Sequence, residues 1–308
     1  MNPLLFKGFG YAKALIFGEY AVMHGLPGLA IALPQTCQVT INCRRTPSDP
    51  SAFQLALEQQ FLKQTGTSAS VELSLDRFFD SENRKLGIGS SAAAVVGMNI
   101  AMCDYLKRDV RILDMIQMHR ALQNHMGSGI DIITSYAGGC ILASHCPDHP
   151  VIERIPRSHI PLIEVFSLHA PAPTLRYIQA ARRASHIPGY QHIISMLGEI
   201  SQALADAARN ANIGAFLDIL SLMPQQLRAL GKVLELPVWP DIMDKIAQIA
   251  QNHHVIVKTS GAGGGDIMLA LAQDTSALES FAEELSHFSP KITRIPSDIP
   301  PERGSLLL

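Results

Sequence analysis

The largely apolar run from Tyr11 to Gly18 reads as a strand ending in a turn, and apolar and polar positions alternate along Gln38 to Arg44, the period-two pattern of a half-buried strand. A polar stretch from Thr46 to Ser51 follows, then Phe53 to Gln64 with helical spacing and Val71 to Leu75 as a third strand. From Ser90 the run Ser-Ser-Ala-Ala-Ala-Val-Val-Gly-Met-Asn-Ile-Ala-Met has few polar positions, which predicts a buried helix with the two serines available as caps. A second helix is expected over Ile112 to Asn124. Strands are expected at Cys140 to Ala143, after the glycines at 138 and 139, and at Leu162 to Leu168. The chain then breaks around Pro171 and Pro173.

Beyond that break helical patterns dominate: Tyr190 to Asn210, Ile213 to Gly231, and Asp241 to Asn252 with Ile242, Ile246, Ile249 and Ala250 on one face. One clear strand, Val255 to Lys258, runs into a glycine-rich loop. The pattern predicts an α+β chain of two domains, residues 1–170 and 171–308, without internal repeats.

Charge and composition narrow the partners. The 308 residues carry a net charge of -2, and no run of five like charges suggests a nucleic-acid or anionic-membrane surface. Apolar residues make up 47% and charged residues 17%, ordinary values for a folded globular protein. Five cysteines, Cys37, Cys43, Cys103, Cys140 and Cys146, form no Cys-x-x-Cys pair and leave an odd count. That favours a reducing cytoplasm over a zinc site or a disulfide framework. Lys7, Lys13 and Glu19 interrupt the N-terminal apolar stretch, so a soluble, unprocessed protein acting on a small molecule is expected, with no membrane or nucleic-acid partner.

Three segments carry candidate chemistry. Leu86-Gly87-Ile88-Gly89-Ser90-Ser91-Ala92-Ala93 sets glycines and hydroxyls before a helix, where unpaired N–H groups and the positive dipole end attract phosphate. It matches neither a P-loop nor a dinucleotide fingerprint, and a tight turn with a serine cap would look the same. Gly261-Ala262-Gly263-Gly264-Gly265-Asp266 follows a strand; its glycines serve either close approach to a ligand or closure of one domain on the other. Gly127-Ser128-Gly129-Ile130-Asp131 offers an aspartate that is either catalytic or a turn former. Lys13 stands inside an otherwise apolar strand, a costly place for a charge without a partner.

At these residues the chain resembles the GHMP kinases. The first motif reads Ala12-Lys13-Ala14-Leu15-Ile16-Phe17-Gly18-Glu19-Tyr20-Ala21-Val22, the second Leu86 to Ala93, and the third Lys258 to Asp266, in family order. Gly-Glu-Tyr-Ala-Val is similar to the mevalonate and phosphomevalonate branches. Gln123 to Asp131, the Lys85-Leu86-Gly87 lead-in and the aspartate closing Gly-Gly-Gly-Asp266 are similar to the phosphomevalonate branch. Ala12 departs from the family's usual Gly, Ile88 replaces the common Leu, and the chain is short for that branch.

The resemblance implies a ribosomal-protein-S5-like N-terminal domain, a ferredoxin-like C-terminal domain and a site in the cleft between them. It implies transfer of the γ-phosphoryl group of ATP, with Mg²⁺, to phosphomevalonate in isoprenoid synthesis. Mevalonate kinase, diphosphomevalonate decarboxylase and a non-catalytic binding protein are the alternatives. Lys13 and Asp131 are expected to be catalytic, with Lys13 lowering the aspartate's pKa. Gly87, Gly89, Ser90, Ser91 and Ala92 are expected to hold the nucleotide, and Ser91 the Mg²⁺. Glu19, Tyr20, Ser128, Gly129, Thr174, Arg176, Ser260, Gly261, Gly263 and Gly264 are expected on the acceptor side. Arg176, Arg182, Arg183 and Lys258 are the cations available to an acceptor phosphate. His24 and His119 are read as structural and His125 as a possible substrate-side residue, in a monomer or homodimer.

Overall fold

Gly8 and Gly10 explain why the first strand and the small-residue helix meet so closely. A Cβ on Gly8 would lie 2.1 Å from the Gly97 carbonyl oxygen, and one on Gly10 would lie 2.4 Å from that of Ala93. The apolar run after Ser90 is therefore a helix pressed against backbone, which is why its residues are small. The structure is a computed structural model that describes residues 5–43, 49–145, 148–170, 173–304 and 306–308. Arg44, where the second expected strand ends, Cys146, Pro171 and the first half of the polar stretch, Thr46 to Ser48, lie outside the described residues.

The first unit opens with two long strands, β1 (Leu5–Phe17) and β2 (Gly28–Asn42), paired antiparallel. After α1 (Ala52–Thr65), strand β3 (Ser70–Ser74) pairs with the distal part of β2. Then come α2 (Ser90–Leu106), α3 (Ile112–Leu122) and α4 (Ile130–Ala137). Strand β4 (Cys140–Ser144) pairs with the start of β2, and β5 (Val151–Arg154) pairs with β4. The sheet thus runs β1-β2-β4-β5, with β3 beside β2.

The second unit contains β6 (Leu162–Ser167), α5 (Thr174–Ala184), α6 (Pro188–Arg209), α7 (Ile213–Leu220), α8 (Met223–Leu234) and α9 (Ile242–Asn252). It continues with β7 (Ile256–Thr259), β8 (Ile267–Ala272), α10 (Thr275–Phe288) and β9 (Thr293–Ile295), in a sheet of order β7-β8-β6-β9. With two sheets and helices packed against them, the chain has the two-domain mixed α/β architecture expected from its motifs.

Four differences from the sequence pattern have local causes. The expected helix Ile213 to Gly231 is two helices, because Pro224 lacks an N–H and its ring would clash with the carbonyl of Leu220; it sits instead in the first turn of α8. Strand β8 is buried at all six positions, so it shows a continuous apolar run rather than alternation. The eight-residue α4 carries too few turns to declare a period. Finally, β6 pairs with β8 and β9, so the sheets change hands between β5 and β6, ahead of residue 171.

The C-terminal tail also crosses between the units. Gly139 N donates to Pro300 O at 3.2 Å, Arg303 N to Ala137 O at 2.7 Å, and Ile112 N to Leu307 O at 2.9 Å, returning the chain to the first unit. No helix of the described residues is long and apolar enough to cross a membrane.

Candidate active site

The start of α2 is built to receive an anion. Gly87 and Gly89 take φ of +80° and +85°, left-handed values that favour glycine, and Gly89 rather than a serine is the N-cap. Ser90 and Ser91 are the first helical residues, and no side chain caps this end. The N–H groups of the first turn consequently lack a side-chain acceptor and add to the positive end of the helix dipole.

Strand β1 delivers Lys13 to this loop. Its N–H donates to Ile88 O at 3.0 Å, and its side chain runs past Gly89, where an added Cβ would lie 2.9 Å from Lys13 Cε. Alternation along β1 sends Lys13 and Leu15 to one face. Ala30, the register partner of Leu15 on β2, completes that wall of the cavity.

Asp131 occupies the first turn of α4, after Gly129 at φ +86°. Its Oδ2 lies 3.6 Å from His119 Nδ1 on α3. The carboxylate is 29% exposed whereas the imidazole is 3% exposed. His119 Nε2 lies 2.9 Å from Gln123 Nε2 and 3.4 Å from Ser91 Oγ. The side chain nearest the Asp131 carboxylate in this set is thus His119, while Lys13 lines the same cavity. His119, read from the sequence as structural, also lines the cavity. Residues 91, 119 and 131 lie on three helices, and no linear spacing connects them.

These groups share one cavity of about 430 Å³ at the junction of the two units. Lys13, Gly87, Gly89, Ser90, Ser91, Ala92 and Asp131 line it, as do the acceptor-side candidates Glu19, Tyr20, Ser128, Thr174 and Gly261. Lys85 and Asp266 line it too, although the sequence reading gave them no role in the site. Thr174 opens α5 and borders the cavity with Pro173 and Ile178.

Other expected site residues lie elsewhere. Ser260 Oγ donates to Leu15 O and accepts from Leu15 N, both at 2.9 Å, which fastens the glycine-rich loop to β1. Gly263 packs against Val238, whose carbonyl oxygen would lie 2.5 Å from an added Cβ, and Gly264 is absent from the cavity wall. Gly129 is buried against Ile116. Arg176, Arg182 and Arg183 are exposed on α5 and do not line the cavity, nor does the exposed His125.

Lys258 is not available to a ligand at all. It is fully buried, with Nζ donating to Glu19 Oε1 and, at 2.7 Å, to Thr259 O. Burial raises the Glu19 pKa and lowers that of Lys258, and each is pulled back by the charge of the other. Tyr20 likewise spans the units, its hydroxyl donating to Ala262 O at 2.7 Å, and burial holds its pKa well above the usual range.

Residues 54–139 match the family described as GHMP kinases N terminal domain. No curated protein matches the sequence. Among solved structures, the Lin0012 protein from Listeria innocua superposes with a TM-score of 0.82 at 19% identity, covering 97% of this chain and 99% of that one. Streptococcus pneumoniae phosphomevalonate kinase in complex with phosphomevalonate and AMPPNP gives a TM-score of 0.75 at 16% identity, over 96% and 99%. L. major mevalonate kinase in complex with R-mevalonate gives 0.66 at 16%, over 96% and 97%. Together these findings show a match to the GHMP kinases N terminal domain family over residues 54–139 and, along the length of the chain, the fold of these solved kinases.

Proposed function

We propose that the protein is a small-molecule kinase that moves the γ-phosphoryl group of ATP onto phosphomevalonate. The observation that carries this reading is one cavity in which the uncapped start of α2 faces Lys13 and Asp131. Phosphoryl transfer asks mainly for positioning, charge neutralisation and an oriented nucleophile, and these are the parts present.

The first-turn N–H groups of α2 and the loop from Gly87 to Ser91 receive the nucleotide phosphates. Lys13, beside Gly89, stabilises negative charge on the transferring group. Asp131 orients the acceptor oxygen and takes its proton where it carries one. The bond formed joins that oxygen to the γ-phosphorus, the bond broken releases ADP, and where the acceptor is an alcohol its proton passes to Asp131.

The donor set suits Mg²⁺ brought in with the nucleotide. Ser91 Oγ and the Asp131 carboxylate are hard oxygens on the cavity wall, and no group of three or more metal-binding side chains occurs among the described residues. When bound, this ion neutralises phosphate charge, and Ser91 is the residue that would hold it.

Phosphomevalonate is favoured by the resemblance of Gly127 to Asp131, Lys85 to Gly87 and the closing Asp266 to that branch, and by the fold shared with the pneumococcal enzyme. Lys85 and Lys13 supply cations at the cavity for a phosphorylated acceptor. Mevalonate is the second reading, supported by the fold shared with the L. major enzyme. A phosphate monoester loses its second proton near pH ~6, whereas an alcohol keeps its proton, so Asp131 matters as a base chiefly for mevalonate.

Coupled ADP release with Mg·ATP and phosphomevalonate, mevalonate or diphosphomevalonate tests the proposal, with Asp131→Asn as control. Turnover on phosphomevalonate alone, reduced in the variant, is expected. Preference for mevalonate would move the enzyme one step, and silence with all three acceptors would overturn the phosphomevalonate assignment in favour of another acceptor or a non-catalytic binding protein.

A further inference from the structure

His119 is a buried side chain whose contacts reach both sides of the proposed chemistry. Its Nδ1 faces Asp131 Oδ2 at 3.6 Å, while its Nε2 faces Gln123 Nε2 at 2.9 Å and Ser91 Oγ at 3.4 Å. Building on the phosphoryl-transfer reading, we propose that His119 is a positioning residue that fixes the hydroxyl proton of Ser91 and the orientation of the Asp131 carboxylate.

The proton inventory of its neighbours leads there. An ionised carboxylate only accepts, so the ring proton belongs on Nδ1, facing Asp131. In a singly protonated ring Nε2 is then an acceptor. The two groups that meet it are an amide NH₂ and a hydroxyl, and both can donate. A second ring proton on Nε2 would set donor against donor at Gln123, so a single tautomer serves all three neighbours.

The consequence lies at Ser91. A hydroxyl has one proton and two lone pairs, and committing the proton to His119 turns an acceptor oxygen toward the cavity. That oxygen stands beside the uncapped N–H groups of α2, as a cation accompanying phosphates would require. The same ring holds Asp131 toward the acceptor. Three separate helices are thereby set in register by one imidazole, much as outer-shell partners orient metal ligands.

Two measurements decide the matter. Long-range ¹H–¹⁵N spectra of histidine-labelled protein, with the His119→Gln spectrum assigning the resonance, are expected to show the proton on Nδ1. A proton on Nε2, which would follow from Gln123 presenting its carbonyl, overturns the proposal. In kinetics, His119→Leu is expected to lower kcat about 10- to 100-fold and to raise the Mg²⁺ concentration needed for half-maximal rate and for AMPPNP binding. His119→Asn keeps a donor near the Nδ1 position but no acceptor near Nε2. It is expected to restore most of kcat while leaving the Mg²⁺ requirement raised. A well-folded Leu variant with wild-type kcat and Mg²⁺ dependence would reduce His119 to packing. If the wild type turns over no acceptor, the kinase reading fails by itself, and the tautomer and Mg·AMPPNP binding still decide the role of His119.

Discussion

The Glu19 carboxylate and the Lys258 ammonium pair across 239 residues of chain, both excluded from water, at the seam between the two sheets. Burying two charges costs several kcal/mol, and the pair persists because removing either partner leaves the other uncompensated. Glu19→Leu or Lys258→Met alone is expected to destabilise the protein by about 3 to 5 kcal/mol, whereas the double substitution should recover most of that loss. Urea unfolding midpoints of the three variants check this. A double variant no better than the worse single one would refute it.

The contact between β1 and α2 allows no added atom. Gly8→Ala would set a methyl 2.1 Å from the Gly97 carbonyl oxygen, and in a backbone contact neither side can swing away. A loss of about 1 to 3 kcal/mol or more is expected, read as a lowered unfolding midpoint. Gly66→Ala is the contrasting control: nothing lies within 4 Å of its added Cβ, so only the strain of its φ of +70° remains.

These two contacts show what the sequence made legible. Several elements of the first unit, though not α4 or β5, were readable from their apolar pattern, such as the small-residue run of α2 and the alternation along the distal part of β2. The glycines at 87 and 89 marked a loop leading into a helix, and both take left-handed backbone there. The partners of those residues were not readable. Lys258 looks like a free cation until Glu19 folds against it, and Ser260 looks like a ligand until Leu15 takes both its hydrogen bonds. His119 reaches Ser91 and Asp131 only through the packing of α2, α3 and α4, a tertiary fact with no local signature.

Acid sensitivity should be visible at the chain's single tryptophan. Asp244 accepts from Arg228 and, at 2.8 Å, from Trp239 Nε1; these bonds, the arginine's first, hold its carboxyl below the ordinary 3.8. A depressed folded-state pKa contributes stability that is present above the unfolded value and lost as pH falls through the folded one. Asp244→Asn should therefore be less stable than wild type at pH 7, with the difference shrinking below pH about 4. Trp239 fluorescence during urea unfolding at pH 7 and pH 3 measures both. A difference that grows on acidification would contradict the assignment.

Gly89 separates the two functions of the phosphate loop. An alanine there must hold φ near +85°, and its methyl would come within 2.9 Å of Lys13 Cε, so the lysine must move to admit it. Strain of this kind costs on the order of 1 to 3 kcal/mol and should lower the unfolding midpoint moderately. The larger effect should be on turnover. Because Lys13 is displaced, Gly89→Ala should lose kcat as Lys13→Met does, by roughly 10² if the lysine stabilises charge in the transition state. On the proposed reading the loop also presents the N–H groups of α2 to the nucleotide, so Gly89→Ala should in addition raise KM for ATP, which Lys13→Met should do less. Combining the two substitutions discriminates further: if they act through the same lysine, the double variant's kcat should fall little below that of Lys13→Met. Multiplicative losses would mean that Gly89 acts on the rate by a path separate from Lys13.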